Sequence, residues 1–531
     1  MANNNQYLNI PAEKFQFAKN RDFSHDSKLD TKPVSYFQGA FRRFAKNKGA
    51  IVGGIVVALL IIFAIVAPFF TPFKPAYYDM VYAYVTPKNE LFAENGLGFW
   101  DGGREKTANY VTFIKDYALG LETGREVIMG GEYTQSVDAE GVAVYQYRYD
   151  TYYGVGFGKY KIISKEEYED IQRYQNETGR QVIYPTVSFT ERKNMQEKNK
   201  YDANIYYVTE NPKASVIRPK LDKEGNIIPN YWKLEVGKTS GLAAEYNSLR
   251  IEGDGIEENG KTYQYVYGRK VDGGIEVRVE YYEYYTYQHT QVLKDGIEEP
   301  LFWFGTTNTG KDVFACLAYG ARFSFLFSTF VVVWNSLIGI ILGAISGYYG
   351  GRFDLTMERI REILGSIPSM IVITLLKFHM GSSSQVLVLM LSFFVTGWIG
   401  MAGSTRIQFY RFKNQEYVLA ARTLGANDRR IMFKHIFPNG IGTLITGAAL
   451  SIPSMIYSET SLSYLGIINL EAGNTTSVGT LIAAGQQSIL ANAAHVALFP
   501  SVFLVLLMLS FNLFGNGLRD AFNPSLRGSE D

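Results

Sequence analysis

Few residues in this chain are arranged to do chemistry. Gly305-Thr-Thr-Asn-Thr-Gly310-Lys311-Asp312 comes within one residue of a phosphate-binding loop. That loop needs a Ser or Thr after the lysine, to help hold Mg²⁺ beside the phosphates. Asp312 lacks that hydroxyl, and its carboxylate repels phosphate. The five histidines are scattered, the one cysteine is Cys316, and neither a nucleophile pattern nor a metal-ligand spacing emerges. Two other features stand out. Glu459 is a carboxylate at the end of an apolar run, with Ser454 and Ser458 before it. Such a group faces protein or a water path, so all three are candidate pore-lining residues, and an interfacial, hydrated site for Glu459 stays open. The other feature is Glu416–Asn439, EYVLAARTLGANDRRIMFKHIFPN, which lies between two apolar runs. It reads as a short helix, a glycine break and a second short helix. Glu416, Ala420 and Ala421 fall on or near one face, kept thin by the alanines so that another protein can approach. Gly425 permits a sharp turn, Asn427 caps the second helix, Asp428 suits its positive end, and Pro438 stops it.

The elements that carry these residues follow from hydropathy. The 531 residues have a net charge of +1 and a mean hydropathy of −0.06, an average over unlike parts. Ala50–Phe70 is long enough to cross a bilayer, and Arg42, Arg43, Lys46 and Lys48 before it set its start inside. A cleaved signal peptide would begin earlier and be shorter. Five further spans are expected: Arg322–Gly347, Ile360–Phe378, Gln385–Gln408, Gly440–Ser458 and Ala493–Phe514. Arg352, Arg359 and Arg361 lie between spans two and three, and seven Lys or Arg lie from Arg406 to Lys434. None occurs from Ile441 to Leu518. Six spans with both termini inside put every basic cluster in the cytoplasm. Pro368 and Pro453 predict kinks, and Gly339, Gly343 and Gly347 predict a close helix contact. Lys377 and His379 read as snorkelling or solvated groups.

The Glu416–Asn439 pattern, with Ala420-Ala421, Arg422, Gly425-Ala426, Arg430, His435 and Pro438-Asn439, resembles the EAA loop of ABC-importer permease subunits. It is most similar to the C-type subunit of bacterial oligopeptide and dipeptide importers. Gly305–Arg322, Asn512–Asp520, Asn523–Arg527 and Tyr36–Phe73 also resemble that family, so the likeness covers about half the chain and skips the middle. Thr307, Lys311 and Cys316 depart from its pattern, which has Asp, Arg and commonly Arg there. The resemblance implies an all-α, six-helix type I permease, forming half of a peptide pore with a second permease subunit. Two ATPase subunits would carry ATP and Mg, while this chain binds no cofactor. An extracellular peptide-binding lipoprotein would deliver substrate, and lipid would surround the spans. Glu416 would contact the ATPase groove or cap the coupling helix, and the loop would drive spans four and five. Relatives of the family serve nickel and other small solutes, which is the alternative cargo. A multi-span surface receptor is the rival class, and nothing in the charge balance suggests nucleic acid.

The expected layout is a cytoplasmic tail (1–48), first span (49–70), inserted extracellular domain (71–300), pre-span segment (301–321), five spans (322–515) with a coupling loop at 409–438, and a cytoplasmic tail (516–531). The insert holds 29 of the 38 tyrosines and no cysteine, so packing and strand pairing must hold it. Its one histidine is His289. Tyr263–Tyr267 and Glu276–Glu280 alternate on either side of Asp272-Gly-Gly, a hairpin signature, and Val142–Ser164 also reads as strands. Ser164-Lys-Glu-Glu167 opens a short helix to about Asn176. The insert is therefore α+β, mostly β. Its tyrosines fill strand faces or form a recognition patch that seats a binding protein or covers the pore mouth.

Overall fold

The computed structural model describes residues 36–94, 99–138, 141–156, 159–187, 207–209, 217–219, 221–237, 248–249, 255–381, 384–471 and 475–522. Most of the expected N-terminal tail, and the motif at Asn523–Arg527, lie outside them. Among the described residues, five helices are long and apolar enough to cross a membrane, and a sharply bent pair would make a sixth. The first, Lys48–Val66, starts where the Asn47 side chain accepts the Ala50 amide at 3.1 Å. It packs on the last long helix, His495–Phe522. A Cβ at Gly53 would stand 2.7 Å from the Ser510 carbonyl. A shorter helix, Tyr36–Lys46, precedes it, and its Arg43 donates to the Ala521 carbonyl at 2.7 and 3.0 Å. A cation thus meets the negative end of the last helix.

The expected second span is longer than its hydropathy suggested. It runs from Val313 to Tyr349, so Tyr319–Arg322 is helix and not approach. Asp312 starts it, accepting the amides of Phe314 and Ala315 at 3.1 Å each. The glycine face holds as expected. Cβ atoms at Gly339 and Gly347 would lie 2.8 and 2.6 Å from the carbonyls of Trp398 and Arg406 on the helix Trp398–Phe412. The expected third span is broken. Gly351–Ser366 and Ser369–Met380 meet at 78° around Ile367-Pro368, because proline has no amide and biases the residue before it away from helix. Gln385–Thr396 leads through Gly397 into Trp398–Phe412. Pro453 does not break its helix, Phe437–Tyr464. A helix that hydropathy missed, Val478–Ser488, is capped by Ser477 and packs between Phe437–Tyr464 and His495–Phe522. Lys377 does not stay in solvent: its ammonium donates to the Ile467 carbonyl at 2.5 Å. His379 is exposed.

The region between the first two long helices is α+β. One antiparallel sheet sets Ala143–Asp150 between Gly103–Asn109 and Ile128–Val137. The helix Tyr110–Thr123 backs it, with Phe113 stacked on Tyr145 at 4.4 Å. A second sheet centres on Gly274–Val279 and is backed by Lys165–Thr178, whose Ser164 cap accepts the Glu167 amide at 3.0 Å. The Asp272-Gly-Gly turn does make a hairpin, but with Gly268–Val271. The expected partner, Tyr263–Tyr267, instead overlaps the strand Lys261–Tyr265 of a third sheet. Tyr281–Tyr287 is helix, because Glu280 caps it through the Glu283 amide at 3.0 Å. Most described tyrosines of the region point inward, among them Tyr82, Tyr152, Tyr285 and Tyr287. A buried bidentate pair, Arg278 to Glu122 at 2.6 Å on both arms, joins the second sheet to the helix behind the first.

Candidate functional site

The expected coupling segment is built by two short helices folded back on the end of the bundle. Glu416–Thr423 closes through a left-handed Gly425, φ +81°. The Ala426 amide reaches the Ala421 carbonyl at 3.0 Å, and the Gly425 amide reaches that of Arg422. This closure needs a residue without a Cβ penalty at position 425. Asn427 then caps the next helix by accepting the Arg430 amide at 2.9 Å. That helix, Asp428–Arg430, passes through a π-helical turn, Ile431–Ile436, into Phe437–Tyr464. Pro438 therefore does not stop it. It sits in the first turn of the long helix, where its missing amide leaves no bond unmade.

The segment has an inner and an outer face. Val418, Ile431, Met432 and Ile436 are buried against Ala344, Tyr348 and Phe409 of the bundle, and Ala421 is buried as well. Ala421 is thus not on the approachable face, because the helix sets it on the Val418 side. Outward stand Glu416, Ala420, Arg422, Gly425, Arg430 and Pro438, while Ala426 and His435 are half-buried. Glu416 does not cap its helix; Gln415 holds that position. Two outward residues were missed from sequence. Leu424 is 88% exposed and Phe433 62%. Phe433 lines an open hollow of about 400 Å³ with Asn427, Arg429 and Arg430. An apolar tip ringed by cations has the composition of a docking surface.

The three candidate pore residues separate. Glu459 is fully buried, inside a helix that continues to Tyr464. Its carboxylate accepts the hydroxyls of Ser324 at 3.0 Å and Ser463 at 3.2 Å. Gly479 brings the Val478–Ser488 helix over it, close enough that a Cβ would lie 3.0 Å from Glu459 Oε1. Glu459 is thus not on an open face of this chain, since its hydrogen-bond partners come from the bundle interior. Ser454 is exposed and Ser458 half-exposed, with hydroxyls returned to carbonyls one turn back. Near the same end of the helices, a polar hollow of about 390 Å³ is lined by Thr309, Ser463, Thr476, Thr480 and Gln487 beside the Lys311–Glu471 pair.

The loop Gly305–Asp312 has no phosphate cradle. The amides of Gly305, Thr306, Thr307 and Gly310 bond to carbonyls of Phe302, Val85, Lys311 and Thr307. Asp312 is buried, and burial pushes its carboxyl up to about 7. The loop instead knits the inserted region to the bundle. Thr306 Oγ1 accepts the Val85 amide at 2.8 Å, the Tyr84 amide donates to the Thr307 carbonyl at 3.0 Å, and Phe304 stacks on Phe499 at 4.0 Å.

Two family models match the chain. Residues 339–528 match the binding-protein-dependent transport system inner membrane component, and residues 35–87 match the N-terminal membrane domain of oligopeptide transport permease C. An oligopeptide transport system permease protein OppC of Bacillus subtilis is 39% identical over 46% of this chain and 78% of its own length. A dipeptide transport system permease protein DppC of the same organism is 40% identical over 42% and 69%. An inner membrane ABC transporter permease protein YejE of Escherichia coli is 34% identical over 42% and 64%. With its long apolar helices and both matches falling on them, the chain belongs to the family of binding-protein-dependent inner-membrane permeases, as a multi-pass permease of the oligopeptide/dipeptide ABC type.

Proposed function

We propose that this chain forms half of a peptide-translocating pore and is coupled to cytoplasmic ATPases through Glu416–Pro438. The carrying observation is the two-faced coupling segment, fixed inside by Val418, Ala421 and Ile431 and presenting Glu416, Ala420 and Leu424 outside. The similar peptide permeases support peptide as cargo. A second permease subunit completes the pore, two ATPase subunits hold ATP and Mg, and an extracellular peptide-binding lipoprotein delivers substrate. Six spans are counted by taking the pair bent at Pro368 as one. Both termini then lie in the cytoplasm, with residues 71–300 outside. The coupling segment sits at the basic end of the helices and the inserted region at the other, as charge placement requires. The inserted region seats the binding protein or covers the pore mouth. Ser454 and Ser458 face the pore, and Glu459 braces the helices behind them.

The test is a mild-detergent pull-down from the native membrane, with ATPase activity assayed on the eluate. A second permease, two ATPases and stimulation by peptide with binding protein support the reading. Stimulation by nickel instead would reassign the cargo. A chain that elutes without ATPase subunits would overturn the importer reading and favour a receptor.

A further inference from the structure

The long helix Val313–Tyr349 meets the coupling segment at one end, through Ala344 and Tyr348, and the inserted region at the other, through Ala315. At about 1.5 Å per residue it is a continuous strut through the whole bundle. Its last buried side chain is Tyr348, which joins the coupling segment in two ways. The ring packs with Val418, Ile431 and Met432 in one core. The hydroxyl donates to Asp428 Oδ1 at 2.6 Å, and Arg422 Nη2 approaches it at 3.5 Å. Neighbouring bonds fix the same helix end. Lys413 Nζ donates to the Gly347 carbonyl at 3.1 Å. Ser346, Arg406 and Tyr410 converge on Asp354 just beyond it.

We propose that Tyr348 is a positioning residue through which the coupling segment drives the Val313–Tyr349 helix, so that this helix and the inserted region at its far end move with the segment. This rests on the importer reading above. It adds to a route through spans four and five: the segment's buried face packs on Ala344 and Tyr348 of the second long helix as well as on Phe409, and the hydroxyl–carboxylate bond ties it to that second helix. A hydrogen bond to a carboxylate is directional as well as strong, so it resists sliding that ring packing alone would permit. At the far end, Asp312 and the Gly305–Asp312 loop carry the displacement into residues 79–86.

The test uses the complete purified importer with Tyr348→Phe, Asp428→Asn and the double variant. Phenylalanine keeps the ring in its core, so assembly and melting temperature should match the parent protein. Basal ATPase activity should be retained in Tyr348→Phe. Peptide moved per ATP hydrolysed should fall roughly tenfold, the factor that a charge-assisted hydrogen bond is worth. The double variant should be no worse than either single one, because one bond is lost in all three. An unchanged transport-to-ATP ratio in Tyr348→Phe, with the parent importer coupled, would overturn this link alone. A loss that tracks a lowered melting temperature or lost ATPase subunits would also overturn it, by making Tyr348 structural. A parent chain without ATPase partners would overturn the importer reading and this link together.

Discussion

Single residues carry the sharpest consequences. Ala420 and Ala421 are neighbours with opposite fates, one exposed and one buried beside Val418. Ala420→Arg should leave the melting temperature unchanged while abolishing ATPase co-purification. Ala421→Arg should destabilise the chain by about 3 kcal/mol or more, since it buries an unpaired charge; a thermal melt in detergent separates the two. Glu459→Gln should fold, because an amide still meets the hydroxyls of Ser324 and Ser463. Glu459→Leu should lose about 1–3 kcal/mol for each hydroxyl left without a partner. Glu280 predicts a pH effect. Burial first, and then the neighbouring Glu283 carboxylate, hold its carboxyl up at about 7, against the ordinary 4.5. The folded state then keeps a proton that the unfolded state releases. Its contribution to stability is complete below about pH 4.5 and is lost as pH rises through 7. The parent chain should therefore melt higher at pH 5 than at pH 8, and Glu280→Gln should flatten that difference.

Between elements, close packing decides what can move. The glycine face of Val313–Tyr349 lies on backbone and Cβ atoms of Trp398–Phe412, so an added Cβ meets nothing that can swing aside. Gly343→Val should cost about 1–3 kcal/mol as overpacking and lower the melting temperature. Gly365, with open space around it, should accept alanine without that loss. At the other end of the strut, Phe304 on Phe499 and the Thr306 bonds tie the inserted region to two helices at once. A hinge at that junction would have to break aromatic stacking and backbone hydrogen bonds together. The 78° bend at Pro368 lies away from this frame, and Ile373 beyond it still packs with Leu389 and Phe393.

For the whole molecule, the Glu416–Pro438 segment and the inserted region lie at opposite ends of the long helix Val313–Tyr349. Impermeant maleimide on intact cells should label Tyr78→Cys, whose parent side chain is 62% exposed, and spare Leu424→Cys until the membrane is opened. The native Cys316 is buried and should stay silent in both. Labelling of Leu424→Cys on intact cells would reverse the orientation argued from charge.

Some of this was legible in the residues alone, because it depends on local chemistry or on composition. Apolar runs must be helical, Asn427 and Ser164 must cap, and Gly425 must turn. Tertiary structure decided what the local pattern leaves open. Pro438 opens a helix because a π-helical turn delivers the chain to it already wound. Tyr281–Tyr287 is helix because Glu280 caps it and the core takes its rings. The Tyr263–Tyr267 run lost its expected hairpin because a nearer strand, Gly268–Val271, reaches the Asp272-Gly-Gly turn first. Glu459 is interior because Ser324, more than a hundred residues away, supplies a hydroxyl there. Which alanine faces a partner, and which tyrosine grips Asp428, depends on surfaces that meet only when distant segments pack.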